Sequence, residues 1–454
     1  MPTAAVSSGL LADLYELTMA AGYLETRFEA RATFELFVRS LPPKRNFLIA
    51  VGLEQALEFL ETLRFSPEDI AYLRRHPAFA RISANFFEYL GAFQFTGDVW
   101  AMPEGTVCFP GEPLLRVTAP IAEAQIVETA LLATISFQTM VASKAARIAK
   151  AAAGRPIVEF GTRRAHGIES GVLAARAAYI GGCKGTSNVR AGQLFEIPTY
   201  GTQAHSWIMA FESEEEAFAR FMDIFPHHSV LLLDTYDVRA ALEKIIAIGR
   251  KPRGVRLDSG DLTADSIWVR QKLDEAGWGD VEIFISGDLD EERIASLLDA
   301  GARVDTFGVG TSLSTSSDAP TLSVLYKLVE VERGGEVREA AKFSAAKVTY
   351  PGRKQVYRDI DSQGDYAGDV IALEDEHMPG EPLLVPVLRA GKRVSDAPSL
   401  AEMQKRCQSQ VERLPAPLRG LAPCGLAYPV RHSARLEALL EQVRERITRT
   451  VSRA

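Results

Sequence analysis

Residues 254–261 read Gly-Val-Arg-Leu-Asp-Ser-Gly-Asp. A short apolar run ends in a fixed cation, two carboxylates and a glycine, and an amphipathic stretch, Thr263 to Ala276, follows at once. That pattern predicts a buried strand, a polar loop and a helix. The same rhythm extends on both sides. Further apolar runs lie at Ile157 to Phe160, Ala178 to Ile180, Ser229 to Asp234, Val281 to Ser286 and Val304 to Gly308. Helical spacing fills Ser213 to Ile224, Val238 to Ile248 and Glu291 to Ala300 between them. Repeated βα units imply a parallel sheet of the α/β class, and a closed or nearly closed barrel is its usual outcome. Polar residues follow each run, at Arg163-Arg164, Lys184 to Asn188, Asp258 to Asp261, Gly287-Asp288 and Gly310 to Ser314. In a βα barrel such positions gather at one face, where active sites sit.

The flanks read differently. Leu10, Leu14, Leu17 and Ala21 have helical spacing, and a β-rich stretch follows at Ala32 to Val38. Helices are expected at Gly52 to Leu63 and Pro67 to Arg75, short strands from Gly97 to Pro120, and a long Ala-rich helix from Ala122 to Ala153. Beyond Ser323 strand-like alternation resumes, turns at Gly334-Gly335, and ends in an amphipathic helix carrying Leu436, Leu440 and Val443. The expected organisation is therefore an irregular βα barrel over residues 154–325. A smaller α+β domain over 1–153 precedes it, and a C-terminal extension over 326–454 packs back on that domain.

The totals exclude several classes. A chain of 454 residues exceeds what one core usually serves. A net charge of -8 argues against a general nucleic-acid binder, though a few placed arginines still suffice for a small anion. Cys108, Cys183, Cys407 and Cys424 form no C-x-x-C pair, so neither a zinc knuckle nor a disulfide framework is expected. Asp13 and Glu16 interrupt the N-terminal apolar stretch, and Thr129 to Ser143 is too short to span a bilayer. A cytoplasmic protein without membrane partners is the expectation.

Several residues carry chemistry. Arg256 remains charged at any working pH and can grip a carboxylate or phosphate through paired hydrogen bonds. Asp258 and Asp261 suit ribose hydroxyls or Mg²⁺ with its waters, and the competing reading is a capped helix start. Phe307 to Ser312 and Ile285 to Asp288 are glycine-bearing loops whose N–H groups can approach an anion. Each alone is usually a turn, but the pair on adjacent βα units suggests a phosphate cradle. Phe160 offers a stacking face for a planar heterocycle, against the ordinary alternative of core packing. His205, in Thr199 to Trp207, could serve as base or nucleophile. His166 reads as structural, and His227 and His228 as solvated.

These segments, in this order, resemble the nicotinate phosphoribosyltransferase family. The resemblance runs from Leu11 to Met19 through Glu159 to Arg163, Gly185 to Asn188, Tyr200 to His205, Arg256 to Asp261, Phe307 to Thr311 and Lys347 to Arg358. It spans about residues 10 to 360 and is weak beyond them. It implies that His205 is phosphorylated by ATP, and that Phe160 and a neighbouring subunit's Tyr15 sandwich the pyridine in a homodimer with shared active sites. Arg163, Thr202 and Arg256 would surround the substrate, with Arg256 on the carboxylate. Asp258 and Asp261 would take ribose and Mg²⁺, and Gly287, Asp288, Gly310 and Thr311 the phosphates. The implied reaction joins nicotinate to phosphoribosyl pyrophosphate, with ATP as co-substrate, in NAD salvage.

Ser187 bears on the choice of pyridine. Nicotinamide-specific enzymes of this fold carry Asp there, which accepts from the amide, whereas a serine hydroxyl can donate to a carboxylate. The alternatives are a nicotinamide or quinolinate phosphoribosyltransferase and a non-catalytic barrel that binds a phosphosugar. The second would have no reason to keep His205.

Overall fold

The computed structural model describes residues 8–344 and 347–451. The chain folds as two compact units. One holds Met140–Pro320 with Gly420–Ala422; the other holds the N-terminal part through Thr139, Thr321–Arg419 and the segment from Pro423.

In the first of these, six parallel strands form one sheet. Its order is Gly185–Thr186, Ile157–Glu159, Thr306–Val309, Glu282–Ile285, Gly254–Leu257 and Val230–Leu232. The helices Val238–Ile248, Leu262–Glu275 and Glu291–Asp299 intervene in sequence, as the βα rhythm predicts. One expectation is corrected: Ala178 to Ile180 is the end of the helix Ile168–Ile180. Its small residues Ala174, Ala175, Ala177 and Ala178 are buried within 1% exposure, so the apolar run is a fully buried helical face. Periodicity alone does not separate that from a strand. The strand of this βα unit is the two-residue Gly185–Thr186.

No regular ladder joins the two edge strands among the described residues; the irregular segment 198–203 spans them instead. Pro198 and Tyr200 bond to Thr186, the Gln203 amide donates to the Val230 carbonyl at 3.3 Å, and Gln203 Oε1 accepts from the Leu232 amide at 3.3 Å. The chain thus runs from one edge to the other through a segment without strand geometry.

The other unit is built on a seven-stranded sheet. Its order is Glu336–Glu339, Val324–Arg333, Arg31–Val38, Pro113–Pro120, Asp98–Ala101, Val385–Arg389 and Lys392–Arg393, with every pairing antiparallel. The turn expected at Gly334-Gly335 is present, with both glycines at positive φ. The first helix is Leu14–Glu25, with Asp13 at its N-cap position, so Leu10 precedes it. The Ala-rich stretch is two helices, Ile121–Ile126 and Glu128–Ala151, broken at Val127. No helix among the described residues is long and apolar enough to cross a membrane.

A buried ion pair organises the C-terminal part of this unit. Arg358, with no exposed side chain, meets Asp369 through Nε at 3.0 Å and Nη2 at 2.6 Å. The Tyr428 hydroxyl donates to the same carboxylate at 2.9 Å, and Tyr366 lies 4.7 Å beneath the guanidinium. Glu112 sits close by, and burial followed by the Asp369 charge pushes its carboxyl well up. Removing one partner of such a pair leaves an uncompensated charge and costs about 3–5 kcal/mol. Arg358→Met is expected to lose that much in urea denaturation; a loss below about 1 kcal/mol would show the pair to be dispensable.

Candidate active site

Strand alternation decides what faces the interior of the parallel sheet. Val158, Val230, Glu282 and Phe284 of the strands line a cavity of about 620 Å³, with Pro156 and Phe160 flanking the first of these strands and His228 in the turn before the second. Glu282 and Phe284 are alternate residues of one strand, as a period of two requires. Arg256 follows the same alternation: its neighbours Val255 and Leu257 are fully buried, while its own side chain keeps 11% exposure.

Three hydroxyl and carboxylate groups fix the Arg256 guanidinium. Nε donates to Ser286 Oγ at 2.8 Å, Nη1 to Thr202 Oγ1 at 2.8 Å, and Nη2 to Asp258 Oδ1 at 2.6 Å. Its carbon lies 5.8 Å from the Phe160 ring centroid, and Phe160 and Thr202 both line the cavity. Phe160 is half-buried, so core packing is not its only role. Its ring has room because Gly308 lacks a side chain; a Cβ there would approach ring carbons to 2.7 Å. The turn carrying Phe160 is held by the buried Glu159, which accepts from Thr186 Oγ1 at 2.6 Å and from the Gly161 amide. Burial raises the Glu159 carboxyl despite those bonds.

Asp258 is the most constrained acid of the site. Burial alone would raise its carboxyl. The Arg256 charge, hydrogen bonds from Ser286 and Arg256, and the proximity of His205 outweigh it, so the group stays below the usual range. Beside it, Asp234 accepts from Ser259 Oγ at 2.5 Å and the Asp258 amide at 3.3 Å through Oδ2. Its Oδ1 is buried without a hydrogen-bond partner. Gly287, at φ 91°, passes so close that a Cβ would meet the Asp258 carbonyl at 1.9 Å; only glycine fits. His205 opens the short helix His205–Met209 directly after the closing segment, with Nδ1 3.2 Å from Thr235 Oγ1.

The remaining predicted residues lie on the loops following the strands. Arg163, Ser187, Asp261, Asp288 and Thr311 are exposed; Gly287 and Gly310 are partly covered. Asp261 caps the helix Leu262–Glu275 by accepting from the Ala264 amide at 3.0 Å, so the cap belongs to Asp261 and Ser259 is free to donate to Asp234. Tyr15 belongs to the other unit, on the helix Leu14–Glu25, 46% exposed and beside Glu128. His166 is exposed; His227 and His228 are exposed and also border the cavity.

Sequence reasoning missed Asp234 and Thr235, and it placed Ser286 in a candidate phosphate loop without foreseeing its bond to Arg256; these roles depend on partners about thirty residues away in the chain. It also missed a cleft of about 230 Å³ in the other unit, bordered by Arg39, Lys327, Lys342, Lys354 and Glu35. Lys354 is already held by Glu35 at 2.8 Å and by the Tyr350 and Gly352 carbonyls at 2.9 Å. Among the described residues no group of three or more His, Cys, Asp or Glu is arranged to hold a metal. Mg²⁺ bound with substrate phosphates needs only one or two carboxylates. The unpartnered Asp234 Oδ1 beside Asp258 is compatible with that donor set.

The chain is similar to known proteins over most of its length. Residues 10–136 match the nicotinate phosphoribosyltransferase N-terminal domain, 156–368 the nicotinate phosphoribosyltransferase family, and 377–440 the corresponding C-terminal domain. The last match extends the resemblance past residue 360, where the motifs alone fade. A nicotinate phosphoribosyltransferase of Mycobacterium tuberculosis is 46% identical over 442 residues, covering 96% of this chain and 94% of the relative. One of Bacillus subtilis is 43% identical over 383 residues, covering 82% and 77%. The crystal structure of human nicotinic acid phosphoribosyltransferase superposes with a TM-score of 0.84 at 31% identity, covering 95% of this chain and 99% of that one. The tethered arginine, the glycine-bearing loops and the histidine after the closing segment thus occur in a chain that belongs to the nicotinate phosphoribosyltransferase family.

Proposed function

We infer that the protein joins nicotinate to the phosphoribosyl group of phosphoribosyl pyrophosphate, yielding nicotinate mononucleotide and pyrophosphate for NAD salvage. The observation that carries this reading is the Arg256 guanidinium, tethered by Thr202, Ser286 and Asp258 with its carbon 5.8 Å from the centre of the Phe160 ring. A planar anionic pyridine needs both a face to stack on and a fixed cation for its carboxylate. Arg256 retains donors beyond its three tethers for that purpose.

In the proposed reaction the pyridine nitrogen attacks the anomeric carbon as pyrophosphate leaves from the opposite face. Positive charge builds on the ribose, and no proton need move. The protein's share is positioning and charge stabilisation. Asp258, kept ionised by Arg256 and Ser286, faces the ribose; Arg163 and Thr202 border the ring. The loops at Gly287-Asp288 and Gly310-Thr311 would take the 5′-phosphate. Asp258 and Asp261 are the proposed holders of Mg²⁺, with Asp234 as a third oxygen donor; the ion would neutralise the departing pyrophosphate. His205 is the proposed acceptor of a phosphoryl group from ATP.

A homodimer completes the reading. Leu11, Leu14, Tyr15 and Met19 are 61, 46, 46 and 46% exposed, an apolar stripe on and just before one helix. Near the loops of the catalytic unit, Ile168 and Val189 are 83 and 76% exposed. Exposed apolar surface of this kind favours burial by a partner. A Tyr15 supplied from a neighbouring subunit would cover the pyridine and the exposed Ser187 together. A cytoplasmic location fits these substrates.

The direct test is a mass-resolved assay of the purified protein with phosphoribosyl pyrophosphate and nicotinate, nicotinamide or quinolinate, with and without labelled ATP. The expected result is nicotinate mononucleotide, faster with ATP, and acid-labile label on His205. Preference for another pyridine, or binding without product, would replace this reading. Ser187→Asp sets a second carboxylate against that of nicotinate. Like charges brought together cost several kcal/mol, so kcat/KM for nicotinate should fall on the order of a hundredfold. An unchanged value would remove Ser187 from the specificity argument.

A further inference from the structure

One lysine of the helix Glu128–Ala151 is taken wholly inside. Lys144 is 2% exposed, with its ammonium 2.5 Å from Glu291 Oε2 and 2.8 Å from Asp318 Oδ1. Arg147, about one helical turn further on, holds the other Glu291 oxygen through Nε at 2.8 Å and donates to the Leu421 carbonyl at 2.9 Å. Glu291 is itself 2% exposed and Asp318 19%. Two cations and two carboxylates are therefore neutralised with little water.

Where the two carboxylates sit gives this group its meaning. Glu291 is the first residue of the helix Glu291–Asp299, reached directly from the loop containing Gly287 and Asp288. Asp318 follows the short helix Thr311–Ser314, which Gly310 opens. The Lys144 ammonium thus joins the segments that leave the two glycine-bearing loops, and both are tied to one rigid helix. Each of those segments also holds a non-glycine residue in left-handed backbone, Asp288 at φ 44° and Ser316 at φ 45°. Such conformations persist only where the surroundings over-determine them. A buried ion cluster is a poor device for stability alone, because apolar residues of similar volume often serve as well or better. What the cluster supplies is geometry: a point charge with directions to two partners from different loops.

We propose that Lys144 is a positioning residue that fixes the spacing of the Gly287-Asp288 and Gly310-Thr311 loops, so that both engage the phosphates of one phosphoribosyl group. The inference rests on the proposed phosphate-binding role of those loops. It concerns affinity for the sugar phosphate and leaves the pyridine contacts at Phe160 and Arg256 untouched.

The experiment is a steady-state comparison of Lys144→Met, Lys144→Arg and Asp318→Asn with the unsubstituted enzyme, varying each substrate at saturation of the other. Thermal melting and calorimetric binding of phosphoribosyl pyrophosphate with Mg²⁺ accompany it. A small misplacement from a residue remote from the chemistry can cost up to about a hundredfold. Lys144→Met should raise KM for phosphoribosyl pyrophosphate on the order of tenfold to a hundredfold, with KM for nicotinate held within about threefold. kcat at saturation should be largely kept, and Lys144→Arg should recover most of the affinity. Should Lys144→Met fail to fold, Asp318→Asn leaves the Lys144–Glu291 pair intact and should show the same one-sided rise, smaller in size. A folded variant with unmoved KM for phosphoribosyl pyrophosphate overturns the proposal, as does a parallel rise in both KM values. Turnover of nicotinate by the unsubstituted enzyme decides the underlying reading separately, so the two failures are distinguishable.

Discussion

The catalytic unit depends on one charged group held still. An arginine at the end of a strand would ordinarily sample many rotamers and lose that freedom on binding. Here Arg256 is fixed in advance by Ser286 from the next strand, Asp258 from its own loop and Thr202 from the closing segment. That arrangement follows from register: Arg256 lies opposite Phe284 on one side and Leu232 on the other. Shifting either pairing by one residue would turn every side chain of the strand to the wrong face. A preorganised cation costs no reorganisation when charge arrives, which is why such groups weigh heavily in enzyme sites.

The same constraint gives sense to the irregular features around it. The segment 198–203 forgoes strand geometry yet bonds to both sheet edges, and it delivers Thr202 to the guanidinium and His205 to the position beside Thr235. Gly308 makes room for the Phe160 ring, and Gly287 lets its loop cross the Asp258 carbonyl. A net charge of -8 is no obstacle to an anionic substrate when cations are placed at such sites.

Much of this was legible in the sequence. The strands at 157, 230, 254, 282 and 306 begin within two residues of the apolar runs that predict them, because buried parallel strands are short and continuously apolar. Arg256 and Asp258 were recognisable because charges at a strand end are costly without partners; the ring of Phe160 reads by itself as core packing, and only the family resemblance marks it as a stacking face. The misread stretch, Ala178 to Ile180, is also apolar but belongs to the C-terminal part of a helix, where Ala174 to Ala178 are all buried. Asp234 passed unnoticed since nothing local distinguishes it, and Ser286 was legible as part of a loop but not as a tether of Arg256; both matter through residues brought beside them by the sheet. Lys144 was hidden for the same reason, its partners lying at positions 291 and 318. Periodicity reports which face is buried and is silent on which buried charges meet.

The most direct test of the central claim is kcat/KM for nicotinate in Arg256→Lys. An ammonium keeps the charge but cannot reproduce the planar fork that meets Thr202, Ser286 and Asp258 while still offering donors to a carboxylate. The account predicts a loss on the order of a hundredfold to a thousandfold, comparable to removal of a preorganised donor. Near-normal turnover in that variant would contradict it, since charge alone would then suffice and the tethering of the guanidinium would be incidental.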